Sequence, residues 1–423
     1  MSFFLILLNY FVFLYPFYMS FAWTIGGLLF YFRRERTEIP PLKSTPFFSV
    51  VIAAYNEEQN IEHTVKHLAN LDYPEYEVIV VNDGSTDKTP QILDELATQY
   101  PGWLKVIHLN PNSGKAQALN TGILFSKGEL IQVIDADCFL DKNALKIMAW
   151  HFTTFPRVGA VTGNPRIINR TSLIGKIQVG EYSSIIGLIK RSQRLLGKVL
   201  TVSGVIAAFR KKALYYCGFF DTATVTEDID VTWKLQKKFW DIRYEPRALC
   251  WILTPETLRG LFRQRIRWAQ GGFEILKKHF DIWFDWRQRR IWPVYIESVV
   301  SILWAFSLGF LIVTWVVTYL LYLYLLYFGG VNPVPPTQPF IPPAWTGSIL
   351  AFTCLIQFMA SLYIDHHYEK ITLMKYYFWV IWYPLFYWMI SALAIFFAVF
   401  NMLRKRRVKV RWESPDRGIH KLK

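Results

Sequence analysis

No charged side chain occurs before Arg33, and long apolar runs return from Pro293 to Leu403, whereas the residues between have ordinary soluble composition. An apolar stretch of about 18 residues or more is long enough to cross a bilayer as a helix. Its backbone polar groups are satisfied internally only if it is helical. The chain must therefore combine membrane-bound ends with a water-facing centre. The first stretch lacks a basic start, is long for the apolar part of a signal peptide, and runs into YFRRER (Tyr31 to Arg36) rather than a small-residue cleavage site. A retained transmembrane helix over residues 1–32 is predicted. Further spans are expected at Val294 to Phe328, Trp345 to Ile364 and Tyr376 to Leu403, making residues 293–403 a second membrane region before a basic tail, 404–423.

The formal net charge is +15, which by itself would admit a nucleic-acid partner. The basic residues instead cluster beside the apolar runs (Arg33, Arg34, Arg36; Arg287, Arg289, Arg290; Arg404 to Arg407). There they mark the cytoplasmic side and contact anionic lipid, so membrane lipid is expected and nucleic acid is not. Four spans would place the central segment inside and the basic tail outside, against the positive-inside tendency. One apolar stretch is then re-entrant or interfacial, or the Val294 to Phe328 run conceals a break. The four cysteines show no CxxC spacing and read as reduced and packed. His63 and His67 share a helix face, but nothing nearby completes a metal site.

Residues 47–255 read as an alternation of strand and helix: strands at Phe48 to Ala54, Glu77 to Val81, Leu104 to Leu109 and Leu130 to Ile134. Helices are expected at Glu57 to Asn70, Asp87 to Gln99 (capped by Thr86) and Lys115 to Ser126. Such a series predicts an α/β domain with a mainly parallel sheet covered by helices. Longer helices follow at Leu173 to Gly197 and Thr226 to Lys238. Residues 256–292 form an interfacial segment, with Leu258 to Phe280 amphipathic and basic.

Ligands of open α/β sheets bind beyond the carboxyl ends of the strands, and two acidic motifs stand there. VNDGSTD carries Asp83, and DAD carries Asp135 and Asp137. A lone D-x-D is weak, since chance supplies on the order of one in a chain this long; Asp228 to Asp230 is another. DAD gains weight from the strand before it and from Asp83 upstream. Asp135 would hold a ribose and Asp137 a divalent ion bridging a diphosphate, whose hard oxygen donors suit Mg2+ or Mn2+. Thr226, Glu227 and Asp228 open a helix, where carboxylates also complement the dipole; Asp228 offers a general base. QRIRW (Gln264 to Trp268) puts Arg267 in reach of phosphate and Trp268 against a sugar face.

In this order the four motifs resemble the processive, inverting family-2 glycosyltransferases, among them cellulose, chitin and hyaluronan synthases. AVTGNPR (Ala160 to Arg166), GKIQVGEYSSIIGLIKR (Gly175 to Arg191), VSGVIAAFR (Val202 to Arg210), YEPRALCWIL (Tyr244 to Leu253) and WESPDRG (Trp412 to Gly418) are more closely similar to the poly-β-1,6-N-acetyl-D-glucosamine synthase branch. The resemblance runs from about Phe11 to Ile419. It implies a GT-A fold, UDP-N-acetylglucosamine as donor, β-1,6 polymerisation, export of the polymer through the membrane helices, and residence in the bacterial cytoplasmic membrane with the catalytic domain inside. Carried over by position, Tyr55, Glu57, Asp83 and Lys115 would line the nucleotide, Asp135 the ribose and Asp137 the metal. Asp228 would be the base, and Glu227 beside it in the motif would bind substrate. Gln264, Arg267 and Trp268 would serve donor phosphate and acceptor terminus, with Ser203 and Gly204 near the acceptor. A small two-helix membrane protein is the expected partner. The D-x-D here has Ala between its acids, and no appended cyclic-dinucleotide domain is evident.

Other readings are a hyaluronan- or chitin-type synthase, a non-processive lipid-linked transferase, or a transporter retaining a degenerate transferase domain. QRIRW argues against the non-processive case. A degenerate domain would be expected to lack a carboxylate, and none is missing.

Overall fold

The computed structural model describes residues 3–330, 333, 346–369, 373–381 and 383–403. The chain enters as one long apolar helix, α1 (Phe3–Phe30), prolonged by a π-helical turn over Tyr31–Glu35. Eight strands then build a single sheet: β1 (Phe48–Ala54), β2 (Tyr76–Asp83), β3 (Leu104–Leu109), β4 (Leu130–Asp135), β5 (Cys138–Leu140), β6 (Val158–Ile167), β7 (Ala207–Arg210) and β8 (Asp241–Ile252), in the order β3-β2-β1-β4-β7-β6-β8-β5. β3, β2, β1 and β4 run parallel. Beyond β4 the sheet is mixed, with β7 antiparallel to both β4 and β6, β6 parallel to β8, and β5 antiparallel to β8.

The helices among these strands are α2 (Ile61–Leu68), α3 (Thr89–Gln99), α4 (Lys115–Leu124), α5 (Ala144–Thr154), α6 (Leu173–Glu181), α7 (Ile189–Leu196), α8 (Lys211–Cys217) and α9 (Glu227–Lys237). After them come α10 (Leu258–Lys278), α11 (Trp292–Phe328), α12 (Thr346–Asp365), α13 (Tyr377–Val380) and α14 (Tyr383–Leu403). Every residue of β1 is buried, the mark of a parallel strand covered on both faces. Successive side chains point to opposite faces. Phe48, Val50 and Ile52 thus join Ile61, Val65 and Met148 in one core, while Val51 and Ala53 join Leu119 and Ile123 in the other.

Several boundaries differ from the sequence expectation for a common reason: loop backbone is used elsewhere. The helix expected from Glu57 begins at Ile61, because Asn56 and Glu57 donate their N–H groups to Ser85 Oγ (2.9 Å) and Thr89 Oγ1 (2.8 Å). Thr86 does not cap α3; its N–H reaches Asn56 Oδ1 at 2.8 Å, and the helix starts at Thr89. The long helix from Leu173 is present, but a π-helical stretch at Tyr182–Leu188 separates α6 from α7.

Among the described residues, three helices are long and apolar enough to cross a membrane: Phe3–Glu35, Trp292–Phe328 and Gly347–Asp365. α11 is unbroken over 37 residues. The interruption falls instead in the last apolar stretch, where α13 ends at Val380 and α14 begins at Tyr383. α14 packs against both α10 and α11, with Phe397 on Phe262 (ring centroids 5.6 Å) and Phe396 on Phe306 (4.8 Å). Most of the uncharged connector, Gly329 to Pro343, and the whole basic tail lie outside the described residues.

The ends of α1 and α12 are tied to the sheet domain by a buried set of three arginines and three acids. Arg191 of α7 donates to Glu35 (2.7 Å) and to Asp365 (2.8 Å). Arg166 of β6 donates to Asp365 (2.5 Å) and pairs with Glu369, which also accepts from Arg170 at 2.7 Å. Ion pairs this deep fix geometry more than they add stability, because desolvation offsets most of the attraction. Gly26 and Gly27 allow α7 to lie against α1: a Cβ on either would come within 2.3 Å of Ser192 Oγ or 2.2 Å of Leu188 Cδ1.

Candidate active site

β1, β2 and β4 end almost level, since Ala53 pairs with Asp135 and Ala54 with Asn82. Their loops form a ledge. Asp83 is fully buried and accepts from the N–H groups of Ser113 and Gly114, both at 2.8 Å. Burial raises its carboxyl from the ordinary value, and the two N–H donors partly counter that. Asp83 thus braces the turn immediately before α4, whose first residue is Lys115. Tyr55 and Glu57 lie on the adjoining loop; Glu57 is 1% exposed and accepts from Asn60 Nδ2 at 3.2 Å.

Lys115 joins two of the motifs. Its ammonium is 2.6 Å from Asp135 and 3.2 Å from Glu227. Burial alone would lower it, but Asp135, Glu227 and Asp228 outweigh that and hold it above the ordinary lysine value. Ligand atoms of Asp135, Asp137 and Cys138 lie within 4.8 Å of one another. The Ala136 carbonyl between the two aspartates accepts from Thr64 Oγ1 at 2.7 Å, which holds the turn from behind.

Asp228 sits in the first turn of α9. Burial and the neighbouring Glu227 push its carboxyl up to about 6, against the pull of Lys115, the Ile229 N–H and Arg267. Gly204 faces it: a Cβ there would stand 3.6 Å from Asp228 Oδ2 and 3.7 Å from Lys115 Nζ. The absent side chain leaves open space between the Asp228 carboxylate and the lysine. From the far side α10 closes in. Gly271 packs so tightly on Thr226 that a Cβ would come within 2.2 Å of its side chain, which locks the helix of QRIRW to the helix of Asp228. Within QRIRW the two arginines divide. Arg265 is buried, donates to Glu181 (2.7 Å) and lies over the Trp268 ring at 4.3 Å, whereas Arg267 is exposed to the cavity. Gln264 Oε1 is buried with no hydrogen-bond partner among the described residues.

One cavity of about 1460 Å³ unites these groups. Lys115, Asp135, Asp137, Glu227 and Asp228 line it on the sheet side, with Ser203 and Gly204, and Gln264, Arg267 and Trp268 on the α10 side. Tyr55, Glu57 and Asp83 stay on the ledge and do not line it. The cavity continues between α1, α11, α12 and α14, past Ser20, Ser301, Thr353 and Trp388. Lys190 of α7 was given no site role from sequence, yet it lines the wall, donates to Ser203 Oγ, and is lowered to about 8 by burial, which Asp228 partly counters. In sequence it is one of several basic residues on a long helix, and only its inward rotation sets it apart.

A transferase reading follows from this chemistry, and comparison with known proteins fixes the family. The model for Glycosyl transferase family 2 matches residues 49–218. A poly-beta-1,6-N-acetyl-D-glucosamine synthase of Staphylococcus epidermidis is 39% identical over 422 residues, covering 96% of this chain and 98% of that protein. The chain belongs to the poly-β-1,6-N-acetyl-D-glucosamine synthase family. A Staphylococcus aureus (strain COL) protein of the same name is also 39% identical, with coverage of 96% and 98%. The fold of this glycosyltransferase is shared by a mannosyltransferase from Pyrobaculum calidifontis, solved in complex with GDP-Man and Mn2+, at a TM-score of 0.54 and 20% identity over 92% of this chain and 99% of that one.

Proposed function

We propose that the protein polymerises N-acetylglucosamine from UDP-N-acetylglucosamine into a β-1,6-linked chain and passes that chain into the membrane. The observation that carries this reading is the continuous cavity, with the Asp135–Asp137 carboxylate pair and Asp228 at one end and membrane helices at the other. Asp228 takes the proton from the acceptor's attacking hydroxyl as it displaces UDP at the anomeric carbon with inversion. A carboxylate raised to about 6 is a stronger base than an ordinary one and is still largely ionised near neutral pH. Gly204 leaves room for the attacking group. Trp268, held flat by Arg265, stacks on the terminal sugar, an orientation-tolerant contact suited to a sliding chain.

A divalent ion fits the DAD turn: Asp137 would supply a hard oxygen donor, with the Asp135 carboxylate close beside it for the ribose. When bound, it withdraws charge from the departing diphosphate. Lys115, now paired with Asp135, swings toward phosphate once ribose occupies that carboxylate. Arg267 adds a second cation facing the cavity.

In this account α1, α11 and α12 are the spans, and α14, packed against both α10 and α11, is the re-entrant or interfacial stretch. The catalytic domain and the tail then share the cytoplasmic side of a bacterial cytoplasmic membrane, which accords with the basic clusters. The small two-helix partner would cover part of the apolar outer face of α1 and α11. A direct test compares UDP release from UDP-N-acetylglucosamine, UDP-glucose and UDP-glucuronate by washed membranes. Release from the first alone is expected; preference for either of the others would overturn the donor assignment.

A further inference from the structure

α11 carries a single charged residue, Glu297. It lies five residues into the helix, about 7 Å along its axis at 1.5 Å per residue. A carboxylate at membrane depth is costly, and where one persists it usually faces a water-filled path and serves function. Glu297 does line the cavity. Its two oxygens accept from Trp23 Nε1 of α1 at 3.1 Å and from Gln193 Nε2 of α7 at 3.0 Å. A carboxylate has about four acceptor sites, so each oxygen keeps capacity toward the cavity. Tyr15 and Ser301 border the same space, and Trp304 stands beside Tyr15 with ring centroids 6.3 Å apart.

We infer that Glu297, Gln193 and Trp23 form a sugar subsite at the membrane end of the cavity, separate from the catalytic carboxylates. The ligand class is a neutral hexosamine residue of the growing polymer. Its hydroxyls donate to Glu297, its amide carbonyl accepts from Gln193, and its apolar face lies against indole. Planar polar groups beside aromatic rings match a sugar's alternating hydroxyl and C–H surfaces. Each hydroxyl stripped of water without a partner costs several kcal/mol on the cyclohexane scale, so a carboxylate here lowers the barrier to entering the membrane. The subsite retains the chain between additions without touching the reacting atoms.

The inference rests on the polymerising reading, and the experiment separates the two. Wild type, Glu297→Ala, Glu297→Gln and Trp23→Phe are compared in membranes for UDP affinity, UDP release and product length. For Glu297→Ala, UDP affinity within about twofold of wild type is expected, with continued UDP release and products at least tenfold shorter. Glu297→Gln keeps the acceptor oxygen and should recover most of the length. Wild-type product length in Glu297→Ala would overturn the subsite. Should Glu297→Ala lose UDP binding, Trp23→Phe decides: normal length there overturns the proposal, and shortened product with normal UDP affinity supports it. A wild type that makes no polymer would defeat the polymerising reading instead.

Discussion

At the residue scale the site depends on how charges are shared. Lys115 is shared between Asp135 and Glu227, while burial and the neighbouring Glu227 raise Asp228 to about 6. A group raised from 3.8 stays protonated, and useless as a base, until the pH passes its new value. The rate should therefore climb through about pH 6. If the Lys190 cation also helps hold the acceptor, the rate falls again above about 8, where that ammonium is lost. Asp228→Asn should abolish the rising limb and reduce polymer by about two to four orders of magnitude, with UDP binding retained. Near-normal turnover in that variant would remove Asp228 as base. Asp137→Ala should weaken both UDP affinity and dependence on added divalent metal, read by titration with and without chelator; unchanged values for both would remove Asp137 from a metal site. The motif carboxylates were legible because their types, order and strand-end positions are sequence properties. Lys190 and Glu181 were not, because a basic or acidic residue on a mixed helix gives no sign of which way it turns. The same limit applies inside QRIRW. Sequence shows two arginines, and only packing shows that Arg265 pairs with Glu181 while Arg267 faces the cavity.

At the scale of elements, α10 does two jobs: it packs against the start of α9 through Gly271 on Thr226 and places Trp268 in the cavity wall. Trp268→Ala should lose polymer length more severely than UDP binding if the indole serves the acceptor side as proposed. Nucleotide titration paired with product sizing checks this, and full-length polymer, or failure through lost UDP binding alone, would remove Trp268 from the acceptor site. The parallel strands could be read directly, because burial on both faces makes them continuous apolar runs. Helix starts could not, because residues such as Asn56 and Thr86 spend their polar groups stitching two loops together. The π-helical stretch between α6 and α7 leaves no mark in composition. The last apolar run, Tyr376 to Leu403, reads as one span from its composition, which does not reveal that α13 ends at Val380 or that α14 packs against both α10 and α11.

At the scale of the whole molecule, the buried arginine–carboxylate set holds the catalytic domain in one orientation over the ends of α1 and α12, so that the active site opens onto the helices. The proposed topology, with three spans and α14 as the re-entrant or interfacial stretch, would put the C-terminal tail on the catalytic side. A cysteine introduced at Lys423 should react with an impermeant thiol reagent only in inverted vesicles, and labelling in intact cells would contradict this topology. The central claim, that this cavity builds a β-1,6-linked polymer of N-acetylglucosamine, is tested most directly by linkage analysis. Purified membranes would be given labelled UDP-N-acetylglucosamine, and the polymer analysed by methylation and by digestion with a β-1,6-specific hexosaminidase. The account predicts 6-linked residues and complete digestion; a polymer with 3- or 4-linked residues that resists the enzyme would contradict it.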